Sequence, residues 1–127
     1  MRQVLNTKEA PRAVGTYSQG IVAGGLVFTS GQIGIDPETG SLTEGDFAAE
    51  VEQVLENVEA VLRAGGSSLK LAVKITVFVT DLSQFATLNE VFARHFASDA
   101  PARSAVQVAA LPLGARVEIE AVGLVTA

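Results

Sequence analysis

Apolar and polar residues alternate along the chain in two rhythms, and each predicts its own kind of element. Phe47, Val51, Val54, Leu55, Val58, Val61 and Leu62 fall at steps of three and four, which is one face of an α-helix. Asp46 stands at the N-cap position, and Gly65-Gly66 is a C-terminal stop. A second helix is predicted over Leu82 to Phe96, with Asp81 as its cap and Phe85, Leu88, Phe92 and Phe96 along one stripe. Strand-like runs cover Ile21–Ala23 and Leu26–Ser30, and Gly24-Gly25 between them is a two-residue hairpin signal. Leu71 to Thr80 is rich in β-branched residues and reads as a further strand. Two more strands, Arg103–Val108 and Ala115–Leu124, close the chain around the turn Leu111-Pro112-Leu113-Gly114. Asp36-Pro37-Glu38-Thr39-Gly40 is a dense turn cluster.

The order β-β-α-β-α-β-β predicts an α+β fold, with both helices on one face of a mostly antiparallel sheet. Thr76, Phe78, Ala105 and Val122 are then assigned to a second face too apolar to leave to water. Large exposed apolar patches are rare on monomers, so the pattern predicts a homo-oligomer in which sheets pack on each other. The plainer alternative is a lightly exposed, Thr-rich outer face.

Composition narrows the chemistry. The 127 residues form one predicted domain, 1–127, without linker, repeat or low-complexity block. With 48% apolar and 18% charged residues, the chain can fill one core. There is no Cys, which excludes disulfides, thiolate metal sites and a Cys nucleophile, and one His, which excludes a zinc held by several imidazoles. The net charge of −5 argues against nucleic acid as the main partner. No secretory h-region and no membrane-length apolar run is present, so a cytoplasmic protein without cofactor is expected.

Among the polar residues, Arg103 follows Pro101-Ala102 and leads into an apolar strand. Such an Arg is ordinarily solvated, but a guanidinium held there could grip a carboxylate through two parallel hydrogen bonds. In Arg116-Val117-Glu118-Ile119-Glu120-Ala121 the two acids point away from the apolar side chains. If Val108 pairs with Ala115, Ala105 faces Glu118, and Arg103 lies two residues further along the same face. A slip of one residue would undo this, and the register stays open. Tyr17, the only Tyr, reads first as a packing residue with a wet hydroxyl. Thr29-Ser30-Gly31-Gln32 is either an ordinary turn or a hydroxyl and N–H pair that can hold an anion. His95 reads as a surface or packing residue. Asn89 sits mid-helix, where its amide could bond a neighbouring loop.

Tyr17-Ser18-Gln19-Gly20, Thr29-Ser30-Gly31-Gln32-Ile33, Val77-Phe78-Val79-Thr80-Asp81-Leu82, Pro101-Ala102-Arg103-Ser104, Leu111-Pro112 and Val117-Glu118-Ile119-Glu120 together resemble the RidA (YjgF) family over nearly the whole chain. The resemblance implies a chorismate-mutase-like fold, a homotrimer and three clefts between neighbouring subunits. It implies hydrolysis of 2-imino acids or their enamine tautomers to 2-oxo acids and ammonia. Carried over residue by residue, Arg103 would bind the substrate carboxylate. Glu118 would position or activate water, with the Ala105 carbonyl as second acceptor. Tyr17 would reach in across the interface, Ser30 and Gly31 would contact substrate, and Asn89 would form a peripheral wall. Many active relatives carry Cys where this chain has Ala105, so the thiol cannot contribute here. The alternatives are a non-catalytic binder of 2-oxo acids and, less favoured by the charge and the single His, an endoribonuclease or translation inhibitor.

Overall fold

The computed structural model describes residues 1–126. Six strands form one sheet: β1 (Gln3–Leu5), β2 (Gly20–Ala23), β3 (Leu26–Thr29), β4 (Ala72–Val79), β5 (Ala102–Gln107) and β6 (Val117–Leu124), in the order β1-β2-β3-β6-β4-β5. Two helices, α1 (Phe47–Ala64) and α2 (Phe85–His95), cover one face. The expected α+β architecture is therefore present, with one unforeseen strand. β1 has only three residues, too few to show an alternation.

Local signals account for most element boundaries. Gly24 and Gly25 adopt φ of 58° and 77° and join β2 to β3 as a two-residue hairpin, with Ala23 paired to Leu26. Asp46 caps α1 by accepting the Ala49 N–H at 2.9 Å. Asp81 accepts the Ser83 N–H, but it opens a short 3-10 turn over Leu82–Gln84, so α2 proper begins at Phe85.

The pairing of the last two strands differs from expectation. β5 does not form a hairpin with β6. It runs parallel to β4, with Ile75 opposite Arg103 and Val77 opposite Ala105, while β6 pairs antiparallel with β3 and β4. The cause is the strand–helix–strand unit β4–α2–β5, since a crossover helix returns the chain parallel to its first strand. The segment after β5 then passes the end of β4, where Val108 donates its N–H to Val79, before β6 enters between β3 and β4.

α1 buries Val51, Val54, Leu55, Val58, Val61 and Leu62 completely, against Val27, Ile75, Val77, Val117 and Ile119 of the sheet. Leu88 and Val91 of α2 complete this layer. His95 pairs its Nε2 with Glu52 at 2.7 Å and ties α2 to α1, the packing role expected of it. A second tie fixes the start of β6. The buried Glu50 accepts the Arg116 N–H at 2.8 Å and its Nε–H at 2.7 Å, and Arg116 Nη2 donates to the Gly45 carbonyl.

No described helix covers the other face. Phe28, Val106 and Leu124 there are 42%, 44% and 46% exposed, beside Phe78, Thr76 and Val122. Ala105 does not belong to this face as expected. It shares the helix side with Arg103 and packs against the core. No described helix is long and apolar enough to cross a membrane.

Candidate active site

The open face carries a carboxylate with no partner among the described residues. Strand alternation turns Val117, Ile119 and Ala121 of β6 into the core and leaves Glu118 half-buried on the opposite side. Burial, and after it the like charge of Glu120, pushes the Glu118 carboxyl above its usual range. It accepts no hydrogen bond from a described residue. Its carboxylate lies directly against Gly31, where an added Cβ would overlap it and push the Glu118 side chain aside. Gly31 is held beside β6 by the paired main chains of Gln32 and Ile119, at 2.8 and 3.0 Å.

Ser30 and Tyr17 extend the same wall. Ser30 donates its hydroxyl to the Ser18 carbonyl at 2.5 Å and its N–H to the Gln19 carbonyl at 2.9 Å. Both Ser30 donors are therefore engaged within the fold. Of the donor pair expected to hold an anion, only a main-chain N–H remains, that of Gly31, which donates to no described residue, and the Ser30 oxygen can act only as an acceptor. Tyr17, 53% exposed, lines a 510 Å³ cleft with Ser18, Phe28 and Ser30.

Arg103 lies on the helix-covered side. Its guanidinium sits 5.1 Å from the ring centre of Phe92 and 5.3 Å from that of Phe85, both on α2. These faces stabilise the charge and hold the planar fork without using its N–H donors. No described carboxylate forms an ion pair with Arg103. Beside it, Asn89, Phe92, Phe96 and Pro101 line a 230 Å³ cavity. Asn89 makes none of the loop bonds allowed for it, and its exposed amide makes no hydrogen bond to a described residue.

Two groups of candidate residues thus emerge. Tyr17, Ser30, Gly31 and Glu118 adjoin one another; Arg103, Ala105 and Asn89 form the second group. The sequence reading placed Arg103 and Glu118 in one cleft of one subunit, and this is corrected. Arg103 is in register with Ile75 and Glu118 with Phe78, neighbours of opposite parity on β4, so their side chains leave opposite faces of the sheet. The aromatic cradle of Arg103 was missed, although Phe85 and Phe92 lie seven residues apart on the predicted stripe. The anchoring bonds of the Gln19 side chain left no signal in the pattern.

A guanidinium on an aromatic bed and a half-buried carboxylate on a bare sheet face mark the two candidate regions of this small α+β protein. The chain belongs to the Endoribonuclease L-PSP family, whose model matches residues 7–125. It is 45% identical to the human 2-iminobutanoate/2-iminopropanoate deaminase, over 98% of this chain and 90% of that one. It is 54% identical to RidA from an Antarctic Psychrobacter, with a TM-score of 0.92 over 97% of this chain and 99% of that structure. TdcF of E. coli, solved with bound serine, is 43% identical with a TM-score of 0.90, covering 98% of this chain and 99% of that one.

Proposed function

We propose that this chain hydrolyses 2-imino acids such as 2-iminobutanoate or 2-iminopropanoate to 2-oxo acids and ammonia, at sites completed between the subunits of a homotrimer. The observation that carries this reading is the pair of unpartnered groups on opposite faces of one sheet, Arg103 and Glu118. Each is half of a site, and a neighbouring subunit supplies the other half. The bare apolar face around Phe28, Phe78, Val106 and Leu124 supports association. The names of the relatives support the reaction.

The chemistry asks little of the protein, because an iminium carbon is already electrophilic. Arg103 binds the substrate carboxylate through its fork, and Asn89 and the α2 aromatics wall that end. Glu118 orients a water on the C2 carbon and takes its proton as the oxygen adds. The carbinolamine nitrogen receives that proton. The C2–N bond then breaks and ammonia departs, while the C2 hydroxyl gives its proton to the again-ionised Glu118 and becomes the carbonyl; Glu118 passes that proton to the solvent with the product. Gly31 gives the carboxylate room, and its free N–H can bind a substrate oxygen. The Ala105 carbonyl is the second acceptor for the water, so the Ala side chain leaves the chemistry intact. The endoribonuclease in the family's description fits less well, because the single His95 is engaged by Glu52 and the net charge is −5.

The test generates 2-iminobutanoate in situ from threonine with a pyridoxal-phosphate-dependent dehydratase and follows ammonia release. Purified chain should shorten the imine lifetime, and Arg103→Ala should abolish the effect. An unchanged lifetime with wild-type protein refutes the enzyme. Saturable 2-oxobutanoate binding without turnover would identify a carboxylate sensor in its place.

A further inference from the structure

Gln19 is 2% exposed, and its carboxamide is fully engaged inside the fold. Oε1 accepts the Thr7 N–H at 2.7 Å, while Nε2 donates to the carbonyls of Thr7 at 3.0 Å and Pro11 at 2.8 Å. The two bonds to Thr7 copy the exchange between paired strands. The main chain here serves the other direction. The Gln19 carbonyl accepts the Ser30 N–H, and the Ser18 carbonyl before it accepts the Ser30 hydroxyl. One buried residue therefore binds the segment 7–11 on one side and the Ser30–Gly31 wall on the other.

Tyr17 hangs between these anchors. Its hydroxyl has one hydrogen bond, accepted from the Val14 N–H at 3.3 Å, and its ring is half exposed. Its place is set by the two ends of its loop, Pro11 and Gln19, and the Gln19 carboxamide joins those ends directly.

We infer that Gln19 is a positioning residue: by pinning the 7–11 segment it sets where the Tyr17 ring and the Ser30–Gly31 wall stand, a role that rests on the deaminase site proposed above. Gln19 touches no reacting atom. It acts through geometry, and displacement of site groups by about 1 Å can cost up to a hundredfold in rate.

The chain supplies its own reporter, since Tyr17 is the only Tyr and there is no Trp. Tyrosine fluorescence anisotropy therefore reads the mobility of this ring alone. Gln19→Met removes every carboxamide bond at similar volume. The expected result is lower anisotropy and a roughly ten- to hundredfold drop in kcat/KM, with far-ultraviolet circular dichroism and oligomer mass unchanged. Should Gln19→Met fail to fold, Gln19→Glu keeps the shape. When protonated, the introduced carboxyl still carries one donor and one acceptor, whereas its ionised form turns an oxygen on the Thr7 and Pro11 carbonyls. Anisotropy and kcat/KM, each as a ratio to wild type, should then approach one in acid and fall as pH rises. Ratios of one across the pH range in a folded variant would overturn the inference. If wild-type protein itself hydrolyses no imine, the deaminase reading fails, and the anisotropy ratios alone decide whether Gln19 anchors Tyr17.

Discussion

Mixing two inactive variants tests whether the halves of the site come from different subunits. Arg103→Ala leaves Tyr17, Ser30, Gly31 and Glu118 in place. Glu118→Gln leaves Arg103 between Phe85 and Phe92, with Asn89 beside it. Truncating one partner of a desolvated charge pair costs roughly 2–5 kcal/mol, so Arg103→Ala should lose about thirtyfold to several thousandfold in kcat/KM. Glu118→Gln should lose roughly a hundredfold in kcat if the carboxylate acts as a base. Co-refolding equal amounts distributes the subunits at random. Half of the arginine-side positions and half of the glutamate-side positions are then intact, so about a quarter of all sites carry both groups. Ammonia release from the mixture should recover to about a quarter of the wild-type rate, far above either parent. Native mass spectrometry verifies that mixed trimers have formed. Mixed trimers no more active than the mean of the parents would refute the shared site, because a site within one subunit gains nothing from mixing.

Arg103→Lys should rescue turnover poorly, since an ammonium lacks the fork and stacks less well on Phe85 and Phe92; wild-type kcat/KM in this variant would remove the bidentate role. Glu118 must be ionised to take a proton, so activity is lost as pH falls through its raised pKa, and the acid limb of kcat/KM should lie above the usual carboxylate range. Glu120→Gln removes the like charge, the lesser of the two causes, and should move that limb slightly to lower pH while leaving the neutral-pH rate near wild type; a limb moved to higher pH would contradict this assignment. Arg116→Ala leaves the buried Glu50 carboxylate with only the residue-116 N–H and no counter-charge, and should cost about 3 kcal/mol in urea unfolding. Glu50→Gln should cost about 1 kcal/mol, because Arg116 is 43% exposed and can turn to water; the reverse order would contradict the burial argument. Ser67 buries a hydroxyl without a partner against Gly123, so Ser67→Ala should be neutral or stabilising by up to about 1 kcal/mol. A clear loss of stability in that variant would mean the hydroxyl is bonded.

Where a local pattern decides the outcome, the sequence alone was enough. The three- and four-residue spacing from Phe47 to Leu62 and the Asp46 cap determine α1, because burial of one helical face depends only on residues a turn apart. Gly24-Gly25 determines its hairpin, because left-handed φ at both positions is cheap only for glycine. Alternation in Val117–Leu124 determines that Glu118 faces away from the core. Alternation says nothing about which strand lies alongside, and that was left to the tertiary structure. β5 and β6, nearest in sequence, are separated in space by β4, because α2 carries the chain back parallel and packs it on the helix side. That choice moves Arg103 and Glu118 from one face to two, which is why the proposed site draws its two groups from neighbouring subunits. The aromatic bed under Arg103 and the bonds from Gln19 to Thr7 and Pro11 likewise join residues that only the packed chain brings within reach.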